Sequence, residues 1–64
     1  MRNKKVQLLA LVCLRQFYVD DLVTIEEYFA HNKHPDKEMI RKKMEIVRRF
    51  NKVQKLIDEI LDEL

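Results

Sequence analysis

Between Pro35 and Leu64 the chain repeats its apolar residues every seven positions, and nothing else in the sequence restricts the fold as much. Read as one helix, this run places Met39, Ile46, Val53 and Ile60 at one core position of the repeat. Phe50, Ile57 and Leu64 fall at the other, with Lys43 as the single polar intruder. Ile40, Val47 and Leu61 widen the stripe to about three positions in seven, the width expected of a helix packed against neighbours. No Gly or Pro interrupts the run after Pro35. At ~1.5 Å per residue such a helix is about 43 Å long, which the remainder of so short a chain is not expected to cover.

The first half reads differently. Leu8 to Leu14 is apolar without a break, and a helix that is hydrophobic all round is normally surrounded. A helix over residues 3–19 is therefore expected in the middle of the fold or of an oligomer. A buried strand is the competing reading of so short an apolar run; it fails because helix-favouring residues flank it and no second strand is available to pair. Asp20 and Asp21 close this segment, and Thr24 to Tyr28 carries a start signal. Thr24 can accept from the Glu27 amide while Glu27 reaches back to the Thr24 amide, with Val23 packing on Tyr28 as a staple. A short helix over 25–31 follows, with Asn32 suited to the left-handed conformation that ends a helix. Pro35 then fits the first turn of the long helix, and Asp36 and Glu38 suit its positive end.

The expected architecture is thus all-α: a single domain, 1–64, of three helices over about 3–19, 25–31 and 35–63. The first lies antiparallel to the third, the short middle helix turns the chain, and oligomerisation completes the core. The absence of Gly and the 38% of charged residues exclude hairpin-rich and disulfide-framework folds, while 47% hydrophobic residues argue against disorder.

Charge supports the antiparallel order. Met1 to Arg15 carries +4, Gln16 to Asn32 carries −4, Lys33 to Lys55 carries +6 and Leu56 to Leu64 carries −4. Antiparallel packing brings Asp20 and Asp21 toward Arg41 to Lys43, and Lys4 and Lys5 toward Asp58 and Glu59; parallel packing would bring like charges together.

No pattern for chemistry emerges. The one cysteine, Cys13, lies in the apolar run and reads as a buried thiol in a reducing compartment. His31 and His34 have a spacing that can serve a metal, but they straddle a helix end and no second cluster accompanies them. No nucleophile-and-base set or phosphate-binding loop can be assembled, so no enzyme activity, cofactor or metal is expected. Arg2, Lys4 and Lys5 followed by apolar residues imitate a signal peptide, yet Arg15 and Gln16 follow and no cleavage site appears. The apolar run is also far short of the roughly 20 residues that span a bilayer. A cytoplasmic protein without membrane association is expected.

Two binding surfaces remain. Ile57, Ile60, Leu61 and Leu64, with Phe50 and Val53, form an expected oligomer interface where the long helix outruns the first. An antiparallel pairing of two such helices would be centred near residue 52 and would set Lys43 beside Asp62 or Glu63 of the other chain. Arg41, Arg48 and Lys55, flanked by Lys42, Arg49 and Lys52, form a basic face opposite the apolar stripe, suited to nucleic-acid phosphates. A charge run is more often a solvated face, and this one is poor in side chains that read bases. A helix-turn-helix over Thr24 to Met44 lacks a Gly or an apolar residue in its turn. The function expected is a small non-enzymatic regulatory or adaptor protein, homo-oligomeric and acting by protein binding. Nucleic-acid binding through the basic face is the alternative.

Overall fold

A computed structural model describes residues 3–64. They form two helices joined by a short loop: α1, Lys4–His31, and α2, Lys37–Glu63. The molecule is all-helical and, among the described residues, without strands. It is a hairpin measuring 49 × 16 × 14 Å, two helices side by side with no third layer.

The third helix expected from the sequence is absent because the first two are one. Nothing between Lys4 and His31 is Gly or Pro, so no backbone constraint forces a break. Thr24, expected to start a helix, sits inside α1, and its hydroxyl donates to the Asp20 carbonyl at 3.2 Å. A threonine offered a carbonyl one turn earlier need not cap. Val23, the expected staple, is exposed. The true start of α1 is Asn3, whose side chain accepts from the Lys5 amide at 2.9 Å.

Asn32 ends α1, but in extended rather than left-handed geometry (φ −125°, ψ 116°). Its amide donates to the Tyr28 carbonyl at 2.7 Å, so a side chain satisfies the orphan carbonyl that a left-handed residue would otherwise serve. Pro35 keeps His34 out of helical geometry, and α2 begins two residues later than expected. Asp36 is its cap, accepting from the Glu38 amide at 3.0 Å. The Asp36 amide in turn donates to the Tyr28 hydroxyl at 3.3 Å, tying the end of α1 to the start of α2.

The helices run antiparallel, as the charge blocks require, in a register set by three contacts. Lys4 pairs with Glu63, Arg15 donates to Gln54 at 2.8 Å, and Lys43 pairs with Glu26. The acids that meet the bases are therefore Glu26 and Glu63, not Asp20, Asp21, Asp58 and Glu59. An unbroken α1 of 28 residues matches α2 of 27 and shifts the alignment; it also covers α2 along its whole length, so α2 does not outrun it.

Each helix presents one seam at alternating three- and four-residue spacing, the coiled-coil pattern. On α1 it reads Leu8, Leu11, Arg15, Tyr18, Leu22, Ile25 and Phe29; on α2, Met39, Lys43, Ile46, Phe50, Val53, Ile57 and Ile60. All of these are buried or half-buried. Of these, Ile25, Ile46, Val53 and Ile57 are buried, at 2–7% exposure. Each seam contains one cation, and each cation is answered from the other helix: Arg15 by Gln54, Lys43 by Glu26. Lys43 also lies 5.3 Å from the centre of the Phe29 ring, a cation–π distance.

Candidate protein-binding surfaces

Two helices side by side leave most of their side chains on open faces. The chain exposes 5536 Å², whereas a folded monomer of its mass exposes roughly 4,400 Å² by the usual scaling. The excess of roughly 1,100 Å² exceeds the ~800 Å² that each partner buries in an interface of standard size. Large apolar side chains lie in the exposed surface: Val6, Leu9, Phe17, Val23, Met44, Leu61 and Leu64 are each more than half exposed.

The residues expected to form an oligomer interface are divided by the fold. Val53 and Ile57 are buried beneath α1, and Phe50 and Ile60 are half-buried in the same seam; Leu61 and Leu64 project into solvent. Two shallow grooves border this seam. Phe50 shares one with Val19, Leu22, Val23 and Ala30, rimmed by Glu26 and Glu27. Ile60 shares the other with Ala10, Leu11 and Leu56, rimmed by Glu59 and Glu63. Lys43 already has Glu26 and Phe29 within its own chain and needs no acid from another.

All six residues of the expected basic face, Arg41, Lys42, Arg48, Arg49, Lys52 and Lys55, are exposed. Glu45 lies among them and is held by Arg48 at 3.3 Å and Arg49 at 3.2 Å. Two of the six guanidinium and ammonium groups are thus already engaged with a carboxylate. Arg2, part of the first basic block, lies outside the described residues.

Cys13 is exposed, not buried. Its place in the apolar run suggested enclosure, but the seam of α1 runs through Leu11, Arg15 and Tyr18, and Cys13 points the other way. The same holds for Val6, Leu9 and Phe17. This outer apolar face is the surface that sequence reasoning did not separate from the core. The signal was present in the surplus: a helix packed on one neighbour uses one stripe, and α1 carries enough apolar residues for two.

His31 ends α1 and His34 lies in the loop, both exposed. Among the described residues no three His, Cys, Asp or Glu side chains are grouped as a metal would require, and no helix is long and apolar enough to cross a membrane. Comparison with known proteins finds no matching family model, no similar curated protein and no similar solved structure.

Proposed function

We propose that this chain is a small non-enzymatic regulatory or adaptor protein of the cytoplasm that works by binding other proteins and is itself completed by self-association. One observation carries the reading: the hairpin exposes roughly 1,100 Å² more than a globular monomer of its mass, with large apolar side chains prominent in that surface. A core of four buried residues gives a lone hairpin a margin of only a few kcal/mol at this size, and association supplies the rest. Sedimentation equilibrium across micromolar concentrations tests this: a concentration-dependent dimer or larger species is expected, and a clean 7.8 kDa monomer overturns it.

The second reading, nucleic-acid binding, rests on the six exposed bases of α2. The net charge of only +2 and the carboxylate of Glu45 among those bases weigh against it. Anisotropy titration with generic duplex DNA and RNA at two salt concentrations separates the two. Salt-sensitive binding abolished by Arg41→Glu/Arg48→Glu favours the nucleic-acid reading, and no binding at low salt removes it.

A further inference from the structure

The outer face of α1 has an internal order that the rest of the surface lacks. At ~100° per residue, Val6, Leu9, Cys13 and Phe17 fall in a sector about 80° wide, centred roughly opposite the seam that meets α2. Val6, Leu9 and Phe17 are 61–67% exposed, and Cys13 is exposed among them. No charge falls in this sector between Val6 and Phe17. Its two ends carry opposite charges, Lys5 before it and Asp20 after it, on the same flank. Among the described residues neither has an ionic partner; the Asp20 carboxylate accepts from the Gln16 amide, at 3.0 Å. The pattern is close to symmetric about Cys13: Leu9 and Phe17 stand four residues to either side, Lys5 eight before and Asp20 seven after.

We infer that this face is where a second copy of the chain docks, α1 against α1 in antiparallel order, with the two-fold axis passing beside Cys13. The inference rests on the self-association proposed above and states which surface performs it. A two-fold contact is self-complementary: whatever lies on one side of the axis meets what lies at the same distance on the other. Here Leu9 meets the partner's Phe17, and Lys5 meets the partner's Asp20. A parallel pairing would set Lys5 beside the partner's Lys5 and Asp20 beside the partner's Asp20. Two hairpins joined this way form an assembly in which both stripes of α1 are covered, and the exposed surface each chain carries in excess is of the size such a contact needs.

The geometry at the axis provides the test. Helix axes pack about 8–10 Å apart with Cα atoms about 2.3 Å from each axis, so two facing cysteines have Cα atoms about 3.4–5.4 Å apart, overlapping the range of about 4.4–6.8 Å that a disulfide bridges. The full chain, treated at micromolar concentration with diamide, which takes two electrons and two protons from the paired thiols, should yield a linked dimer on non-reducing electrophoresis. Moving the thiol one turn, in Cys13→Ser/Leu9→Cys, separates the two sulfurs by about 12 Å along the axis, and linking should slow by at least about tenfold. Mixing that variant with Cys13→Ser/Phe17→Cys should restore it. Lys5→Glu and Asp20→Lys should each weaken association by roughly threefold to tenfold at low salt, and the two together should recover it, since each exposed pair contributes at most about a factor of this size. Equal linking through residues 9 and 13 would mean parallel helices and overturn the arrangement. A dimer in sedimentation that does not link through Cys13 and ignores the charge swap would overturn it while leaving self-association intact; a monomer would overturn both.

Discussion

The two helices differ by one residue in length and meet along matching seams, yet their outer faces differ in chemistry. Opposite its seam α2 carries Arg41, Arg48, Lys52 and Lys55, all exposed, with Met44 beside them, so water is a suitable neighbour for most of its outer face. Opposite its seam α1 carries Val6, Leu9, Cys13 and Phe17, for which water is a poor one. One antiparallel contact therefore leaves α2 a mostly charged outer face, with Ile40, Met44, Leu56, Leu61 and Leu64 still exposed, and leaves the N-terminal half of α1 an apolar one. An amphipathic helix has one face suited to a neighbour, and a helix apolar on two sides has two.

The largest effect should come from the shared seam. Ile57→Ala truncates the least exposed of the described core residues and should cost about 2–5 kcal/mol, enough to lose most of the helical circular dichroism at any concentration. Val23→Pro tests whether α1 is continuous. In an unbroken helix it should cost ~3 kcal/mol, read as a large fall in the urea midpoint; full tolerance would mean that the chain does break near Thr24. Phe17→Ser addresses the outer face alone. It should weaken association by roughly 1.5–3 kcal/mol per chain, seen as a melting temperature that no longer rises with protein concentration, with helix content at high concentration little changed. Asp36→Ala removes the cap of α2 and should cost about 1 kcal/mol in chemical denaturation. Thr24→Ala should be the smallest, within ~0.5 kcal/mol of the parent and on the stabilising side, because alanine favours a helix interior; a loss like that of Asp36→Ala would restore Thr24 as a cap.

How legible these features were in the sequence follows from the same contrast. The seam of α2 could be read residue by residue because its other face is charged, and Met39, Ile46, Phe50, Val53, Ile57 and Ile60 all line it. The seam of α1 could not, because Leu9 and Cys13 look as apolar as Leu8 and Leu11, and only packing decides between them. The expected break at Asp20 to Thr24 came from a strong local start signal, Thr24 followed by Glu27. That signal lost to continuity: breaking α1 there would uncover Ile25 and take Glu26 away from Lys43. Lys43 was visible as a polar residue in an apolar stripe, but its partner was not, since the register depended on how long α1 proved to be. The antiparallel order was legible because blocks of charge survive a shift of a few residues, whereas individual pairs do not. The basic face was legible as an outward surface; what it binds is a matter of chemistry that spacing does not encode.

The hairpin has a single loop, so every cross-helix contact encloses more chain than the one nearer the loop. Tyr28 and Asp36 stand 8 positions apart in the chain, Arg15 and Gln54 39, and Lys4 and Glu63 59. Closing the last of these rather than the first adds roughly 2 kcal/mol of chain entropy, which makes folding a zipper that starts at the loop and reaches the far end last. The segment it reaches last carries Val6, Leu9 and Cys13. A second chain laid across that segment would act where the loop's influence is weakest, holding closed by assembly the end that connectivity alone holds least.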